Sequence, residues 1–274
     1  MDIAPRDVER FRSVLPPAQF EQFRRAAEEG RELLQGRVVW NVNSTAKGGG
    51  VVELLRSLVA YARGAGADVR WEVIEGPPEF FVITQRIHNR LHGTLGDGGP
   101  LGDEERAIYE QVLEDNRDEL LERARPGDVA IVHDPQPAGL IEPLREAGLT
   151  VIWRCHIGTD TPNEIAQHAW AFLLPYVQPA DTYVFSRESF AWAGLDRGKI
   201  VVIPPTIDAF APKNVDLDPE AVSTVLRTIG MLADGGEPPK PVVFERLDGT
   251  PGRVERTARL VEDEPLRADD PVVL

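Results

Sequence analysis

The sequence is poor in cysteine, in basic charge and in long apolar runs. One cysteine, Cys155, among 274 residues excludes an intramolecular disulfide and a cysteine-rich metal centre, and makes a reducing, cytoplasmic setting the expected one. Lys and Arg number 30 against 45 Asp and Glu, a net charge of −15. That balance argues against a nucleic-acid surface, which presents a basic face, and means that an anionic substrate would need a local basic pocket. No stretch approaches the ~20 apolar residues of a membrane span. Residues 1–35 are charged and helical in pattern rather than the apolar core of a secretory leader. Neither a membrane nor a nucleic acid is therefore an expected partner. Several signatures are also missing: G-x-G-x-x-G, the phosphate-loop pattern G-x-x-x-x-G-K-[ST], H-E-x-x-H, and the G-x-S-x-G elbow of many α/β hydrolases. His88 and His92 stand four residues apart on an expected helix with no third ligand evident nearby. Packing or a solvated face is the better reading of that pair, and no metal is assigned.

What is present is an alternating pattern. With 42% hydrophobic residues the chain can bury a sizeable core. Apolar positions at helical spacing from residue 6 to 34, broken by Pro16-Pro17, predict two helices before the first strand. A strand at 38–43 then runs through Asn43-Ser44-Thr45-Ala46-Lys47 and three glycines, Gly48, Gly49 and Gly50, into a helix over about 50–63. Strands follow at 69–74, 129–132, 150–155, 182–186 and 200–203, with helices expected at 79–92, 103–124, 138–147, 163–173 and 188–193. The short unbroken β-branched runs suit strands buried on both faces. The order predicts a doubly wound, Rossmann-like α/β fold with a largely parallel sheet. Residues 1–35 read as an N-terminal helical extension, 36–214 as the Rossmann-like domain, and 215–274 as a helix near 218–232 followed by linker, with a short strand at 241–246. Residues 234–270 are expected to be less ordered than the sheet.

In such folds ligands sit outside the carboxyl ends of the strands, near the point where strand order reverses. Asn43-Ser44 with the glycines, Glu75, His133-Asp134, His156 and Ser186-Arg187 each follow an expected strand, so one rim can collect them. Each has a plain alternative: His133 and His156 as core-edge histidines, Asp134 and Ser186 as helix caps, the glycines as an ordinary strand-to-helix turn, Lys47 as a solvated lysine. Their shared position favours a site.

Long motifs carry a resemblance. Asn43-Ser44-Thr45-Ala46-Lys47-Gly48-Gly49-Gly50-Val51, Trp71-Glu72-Val73-Ile74-Glu75-Gly76, Phe80-Phe81, His88-Asn89, His133-Asp134-Pro135-Gln136-Pro137-Ala138-Gly139, Trp153-Arg154-Cys155-His156-Ile157 and Ile203-Pro204-Pro205-Thr206-Ile207-Asp208 occur in that order. From about residue 36 to 214 the chain resembles the N-terminal half of the trehalose glycosyltransferring synthases, retaining enzymes of glycosyltransferase family 4. The resemblance implies the N-terminal half of a GT-B glycosyltransferase, in which two Rossmann-like domains face a cleft, the first binding acceptor sugar and the second a nucleotide-sugar donor. It also implies that a donor domain would lie beyond a strand at Asp270–Leu274, so that this chain is expected to be a truncated, acceptor-side piece with little activity alone.

The same resemblance assigns roles. His156 matches the histidine that contacts the transferred sugar, and Asp134 a carboxylate that binds sugar hydroxyls; these are the catalytic candidates. Gly48, Gly49 and Gly50, with Lys47, would approach the donor diphosphate, while Asn43, Glu75, His133 and Gln136 complete the substrate-binding set. The departing diphosphate is thought to assist the attacking hydroxyl, so no carboxylate nucleophile is required. Glucose or trehalose is the implied ligand and UDP- or ADP-glucose the donor, with no tightly bound cofactor; a homodimer is allowed for. Retaining trehalose phosphorylase, another hexosyltransferase of the family, and a non-catalytic sugar-binding domain remain the alternatives.

Overall fold

The computed structural model describes residues 1, 3–232, 242–245, 251–255 and 266–267. They fall into two compact units, Met1–Thr206 and Ile207–Leu274.

The first unit is built on six parallel strands: β1 (Val38–Asn43), β2 (Asp68–Val73), β3 (Val129–His133), β4 (Thr150–Cys155), β5 (Thr182–Phe185) and β6 (Ile200–Val202), in the spatial order β2-β1-β3-β4-β5-β6. Six helices connect or precede them: α1 (Pro17–Leu33), α2 (Gly50–Gly64), α3 (Pro78–Leu91), α4 (Asp103–Leu121), α5 (Ile141–Glu146) and α6 (Glu164–Val177). The expected doubly wound parallel sheet is what the chain forms. Among the described residues no helix is long and apolar enough to cross a membrane.

Side-chain parity along the strands explains the two-sided burial. Trp40, Val42, Ala130, Val132, Val151, Trp153, Tyr183 and Phe185 point into the larger core with α3, α4, α5 and α6. Val39, Val69, Trp71, Val129, Ile131 and Ile152 point to the opposite face, where Val52, Leu55 and Val59 of α2 cover them. A strand with both faces buried has few polar positions to spare, which is why these runs read as largely apolar, with Asn41 and Asn43 of β1 and Arg154 of β4 standing out.

The helix limits follow local chemistry. Pro17 and Pro78 stand in the first turns of α1 and α3, where a missing N–H costs nothing. Gly48 and Gly49, at φ +69° and +77°, turn the chain from β1 into α2 through a region that favours glycine. The Asn163 side chain caps α6 by accepting the Ala166 N–H at 3.0 Å. That helix runs to Val177, past the limit expected at 173, because Phe172, Leu173 and Val177 are buried and hold the turn containing Pro175. Two expected helices are only 3₁₀ turns, Val8–Ser13 and Glu188–Phe190. In the second, Asp160 accepts from Ser189 at 2.5 Å and pairs with Arg187 at 3.0 Å, so side chains rather than a helical ladder fix the segment.

The second unit contains helix α7 (Pro219–Thr228), capped by Asp218, and an antiparallel pair, β7 (Val243–Glu245) with β8 (Pro251–Arg253). The strand expected at Asp270–Leu274 and most of the segment 234–270 lie outside the described residues.

Candidate functional site

The strand order reverses between β1 and β3, since β2 lies to one side of β1 and β3 to the other. At or just past the carboxyl ends of these strands and of β4 lie the glycine turn, His133, which ends β3, Asp134 and His156.

Asp134 follows β3 at once and is the one non-glycine residue among those described with a positive φ, +63°. Aspartate tolerates this conformation better than most residues, yet it still costs of order 1–3 kcal/mol and persists where the surroundings hold it. Here they do: the Asp134 N–H donates to the Arg154 carbonyl at 2.9 Å, its carbonyl accepts from Trp153 Nε1 at 3.0 Å, and its Oδ1 accepts the His156 backbone N–H at 2.7 Å. Burial pushes its carboxyl up to about 7, against the opposing pull of the His156 N–H and the Arg154 charge. The following loop is held by Tyr109 of α4, whose buried hydroxyl donates to the Pro135 carbonyl at 2.7 Å and accepts the Gly139 N–H at 3.1 Å. Gln136, half-buried between two buried prolines, rides on that loop.

His133 and His156 meet ring to ring. His133 Nδ1 lies 3.0 Å from His156 Nε2, and His133 Nε2 lies 3.1 Å from Asn41 Oδ1. His133 is 1% exposed with both ring nitrogens engaged, so it has no polar atom left for a sugar. His156 is half-buried. Burial, reinforced by the nearby Arg154 charge, lowers its imidazole to about 4; burial, His156 and Arg154 together hold His133 well below its usual range. Both rings are neutral at neutral pH.

On β1, buried Asn43 accepts from Trp71 Nε1 at 2.7 Å and donates to the Thr45 carbonyl at 2.8 Å, tying the strand end to the turn. Lys47, Gly48, Gly49 and Gly50 are exposed, and a Cβ at any of the three glycines would meet open space. Glu75 sits at the outer edge, past β2, with its main chain held by Asn116 and its side chain exposed. Arg187 is drawn to Asp160. Thus the structure joins Asp134, His133 and His156 in one bonded cluster, sets Asn43 and the glycines at the neighbouring strand end, and leaves Glu75 in the exposed turn after the edge strand β2.

Three residues escaped the sequence reading: Asn41, Arg154 and Tyr109. Asn41 and Arg154 are polar residues inside otherwise apolar strands, which is a legible signal; Tyr109, within a charged helix, gives none. His88 and His92 pack edge to face with ring centroids 5.0 Å apart, and no cluster of three or more His, Cys, Asp or Glu suited to a metal ion occurs among the described residues. A cavity of about 730 Å³ opens at the other, amino-terminal end of the strands, lined in part by Arg31, Arg37, Arg70, Arg123 and Asp128. It lies at the wrong end of the sheet for the ligand rule of open α/β folds.

Residues 41–192 match the family model described as "Trehalose synthase, N-terminal domain". The chain is 36% identical over 240 residues to a trehalose synthase of Pyrococcus horikoshii, covering 88% of this chain and 54% of the relative. It is 38% identical over 202 residues to a trehalose synthase of Rubrobacter xylanophilus, covering 72% and 47%. It therefore spans about half the length of these curated relatives. Among solved structures it superposes on an E. coli protein described as "Trehalose-6-phosphate from E. coli bound with UDP-2-fluoro glucose", with a TM-score of 0.51, 18% identity, and coverage of 70% of this chain and 54% of that one. This likeness is one of fold, and it agrees with the N-terminal half of a GT-B glycosyltransferase. With its glycine turn, Asp134 and His156 all inside or beside the matched span, the chain belongs to the trehalose synthase N-terminal domain family.

Proposed function

We propose that this unit is the acceptor-side domain of a retaining glycosyltransferase that makes trehalose from glucose and a nucleotide-glucose donor, UDP- or ADP-glucose. The observation that carries this reading is the bonded pair Asp134 and His156 near the switch point of the sheet, with Asp134 in a strained conformation that three hydrogen bonds hold. A carboxylate with one oxygen fixed can accept sugar hydroxyls with the other, and such charge-assisted bonds suit a hexose. A neutral imidazole beside it offers one further polar atom without repelling a sugar. Gly48, Gly49 and Gly50 let the backbone approach a diphosphate closely, with the amino end of α2 behind them and Lys47 alongside. Asn43, Glu75 and Gln136 complete the rim. The protein's part in the chemistry is to position the acceptor and to stabilise charge, and no carboxylate nucleophile is asked of it.

Titration of the chain with glucose and with trehalose, followed by amide NMR shifts, tests the reading. Millimolar binding, about −4 kcal/mol, with shifts at residues 43–50, 134–136 and 156 is expected. Shifts that avoid these residues place the sugar elsewhere and overturn the assignment.

A further inference from the structure

His156 is not free to choose its protonated nitrogen. We infer that Asn41 and His133 are positioning residues that fix the tautomer of His156, so that it presents a bare Nδ1 to accept the hydrogen of a sugar hydroxyl. The inference rests on the reading of His156 as a sugar contact.

The chain of reasoning starts at Asn41, in the middle of β1 and 1% exposed. Its Oδ1 lies 3.1 Å from His133 Nε2 and, being a carbonyl oxygen, can only accept; His133 Nε2 therefore carries the hydrogen. A neutral imidazole has one N–H, so His133 Nδ1 holds a lone pair. His156 Nε2 faces that lone pair at 3.0 Å and must donate to it. The two rings are 10° from coplanar, as an edge-to-edge bond between ring nitrogens requires. His156, neutral in its turn, is left with a lone pair on Nδ1, which has no partner among the described residues.

The surroundings do not compete for these rings. Asp134 bonds the main chain of His156 rather than its imidazole, and the Arg154 charge disfavours a second proton on either ring. Asn41 itself is costly where it stands, because its Nδ2 is buried without a partner among the described residues. An apolar residue would fill a strand between Trp40 and Val42 at less cost, so what the amide contributes here is its oxygen. The arrangement resembles the way a second group orients a histidine that acts elsewhere through its other nitrogen.

Long-range ¹H–¹⁵N spectra of the histidine rings at pH 7 test the inference without any substitution. Both His133 and His156 should be neutral with Nε2 protonated; a His156 protonated on Nδ1 would overturn it. Asn41→Leu should convert both rings to mixed tautomers and weaken glucose binding about threefold to tenfold, the loss expected when a neutral hydrogen bond is no longer set in place. Asn41→Asp, which restores an acceptor, should return the Nε2-protonated form and most of the affinity. An unchanged His156 tautomer in a folded Asn41→Leu chain also sinks the idea. Parent rings in the stated tautomers with no glucose-dependent shift would uphold the relay and reject the sugar assignment instead.

Discussion

Asp134 and His156 are joined through the main chain: the carboxylate accepts the backbone N–H of His156 at 2.7 Å, and the imidazole takes no part in that bond. The two side chains are therefore separable. His156→Ala should leave the Asp134 geometry intact, whereas Asp134→Ala removes the acceptor for a buried N–H and puts alanine at a φ of +63°. Asp134→Ala should cost about 2–4 kcal/mol of stability, combining a lost buried bond with backbone strain. Asp134→Asn keeps an acceptor and tolerates the backbone, so it should stay within about 1 kcal/mol of the parent in urea unfolding while weakening glucose binding. Equal stabilities for the alanine and parent chains would contradict this account.

The raised Asp134 carboxyl has a signed consequence. Burial lifts it from 3.8 to about 7 in the folded chain, so between those values the folded state holds a proton that the unfolded state has already lost. Its contribution to stability is complete below pH 4 and declines as pH rises through about 7. The depressed His156 imidazole acts in the opposite direction, its contribution being present above pH 6.5 and lost as pH falls toward about 4. Asp134→Asn should remove the first effect alone, making stability rise more steeply with pH between 4 and 7 than in the parent. Matched pH profiles of unfolding free energy for the two chains check it; superimposable profiles would rule it out.

Glucose affinity should follow the same group. If the ionised carboxylate is the acceptor of a sugar hydroxyl, binding tightens as pH rises from about 6 to 8. The Asp134→Asn chain should show no such change, as calorimetric titration at several pH values would reveal.

Tyr109 supports the loop that carries Asp134 and Gln136 from a distance. Tyr109→Phe deletes the bridge between Pro135 and Gly139 without changing ring volume, and should destabilise the chain by about 1–3 kcal/mol by leaving a buried N–H and carbonyl unpaired. Faster amide exchange at Gly139 in the variant would accompany it. Unchanged stability together with unchanged exchange would show that the loop is held by other means.

Adjacent glycines should behave differently. Gly49 has a φ of +77°, and Gly49→Ala should cost about 1 kcal/mol although its Cβ would meet open space. Gly50 opens α2 at an ordinary φ with equal room, so Gly50→Ala should be neutral or stabilising by up to about 1 kcal/mol. If this turn takes the donor diphosphate, both substitutions should weaken UDP-glucose or ADP-glucose binding, which thermal-shift titration with either nucleotide sugar would measure.

The strands were legible because each is a short apolar run with both faces buried, and the rim residues because a strand end in an open α/β sheet is a known place for polar groups. Helix ends were less so. The helix expected to end at 173 runs on through Pro175, because the buried Phe172 and Val177 on either side hold it. Glu188–Ala193 read as helical from its composition, yet Asp160, distant in sequence, holds the segment as a turn. In the site, sequence order marked where Asp134 and His156 stand but not that His133 would be enclosed between Asn41 and His156. That depends on β3 lying between β1 and β4, with these side chains on one face, and strand order is not written in any local pattern.

The pairing of β1 with β3 also sets when the site can exist. Every other pair in the sheet joins strands consecutive in the chain, but this one closes a loop in which Val38 meets Asp128 across 90 residues. Loop closure of that length carries the largest entropic penalty in the sheet, and long-range pairing slows folding. The contact of His133 with Asn41 spans this same junction. A nascent chain thus completes a β1–α2–β2 piece early and brings Asn41, His133 and His156 together only once β3 and β4 have emerged and docked.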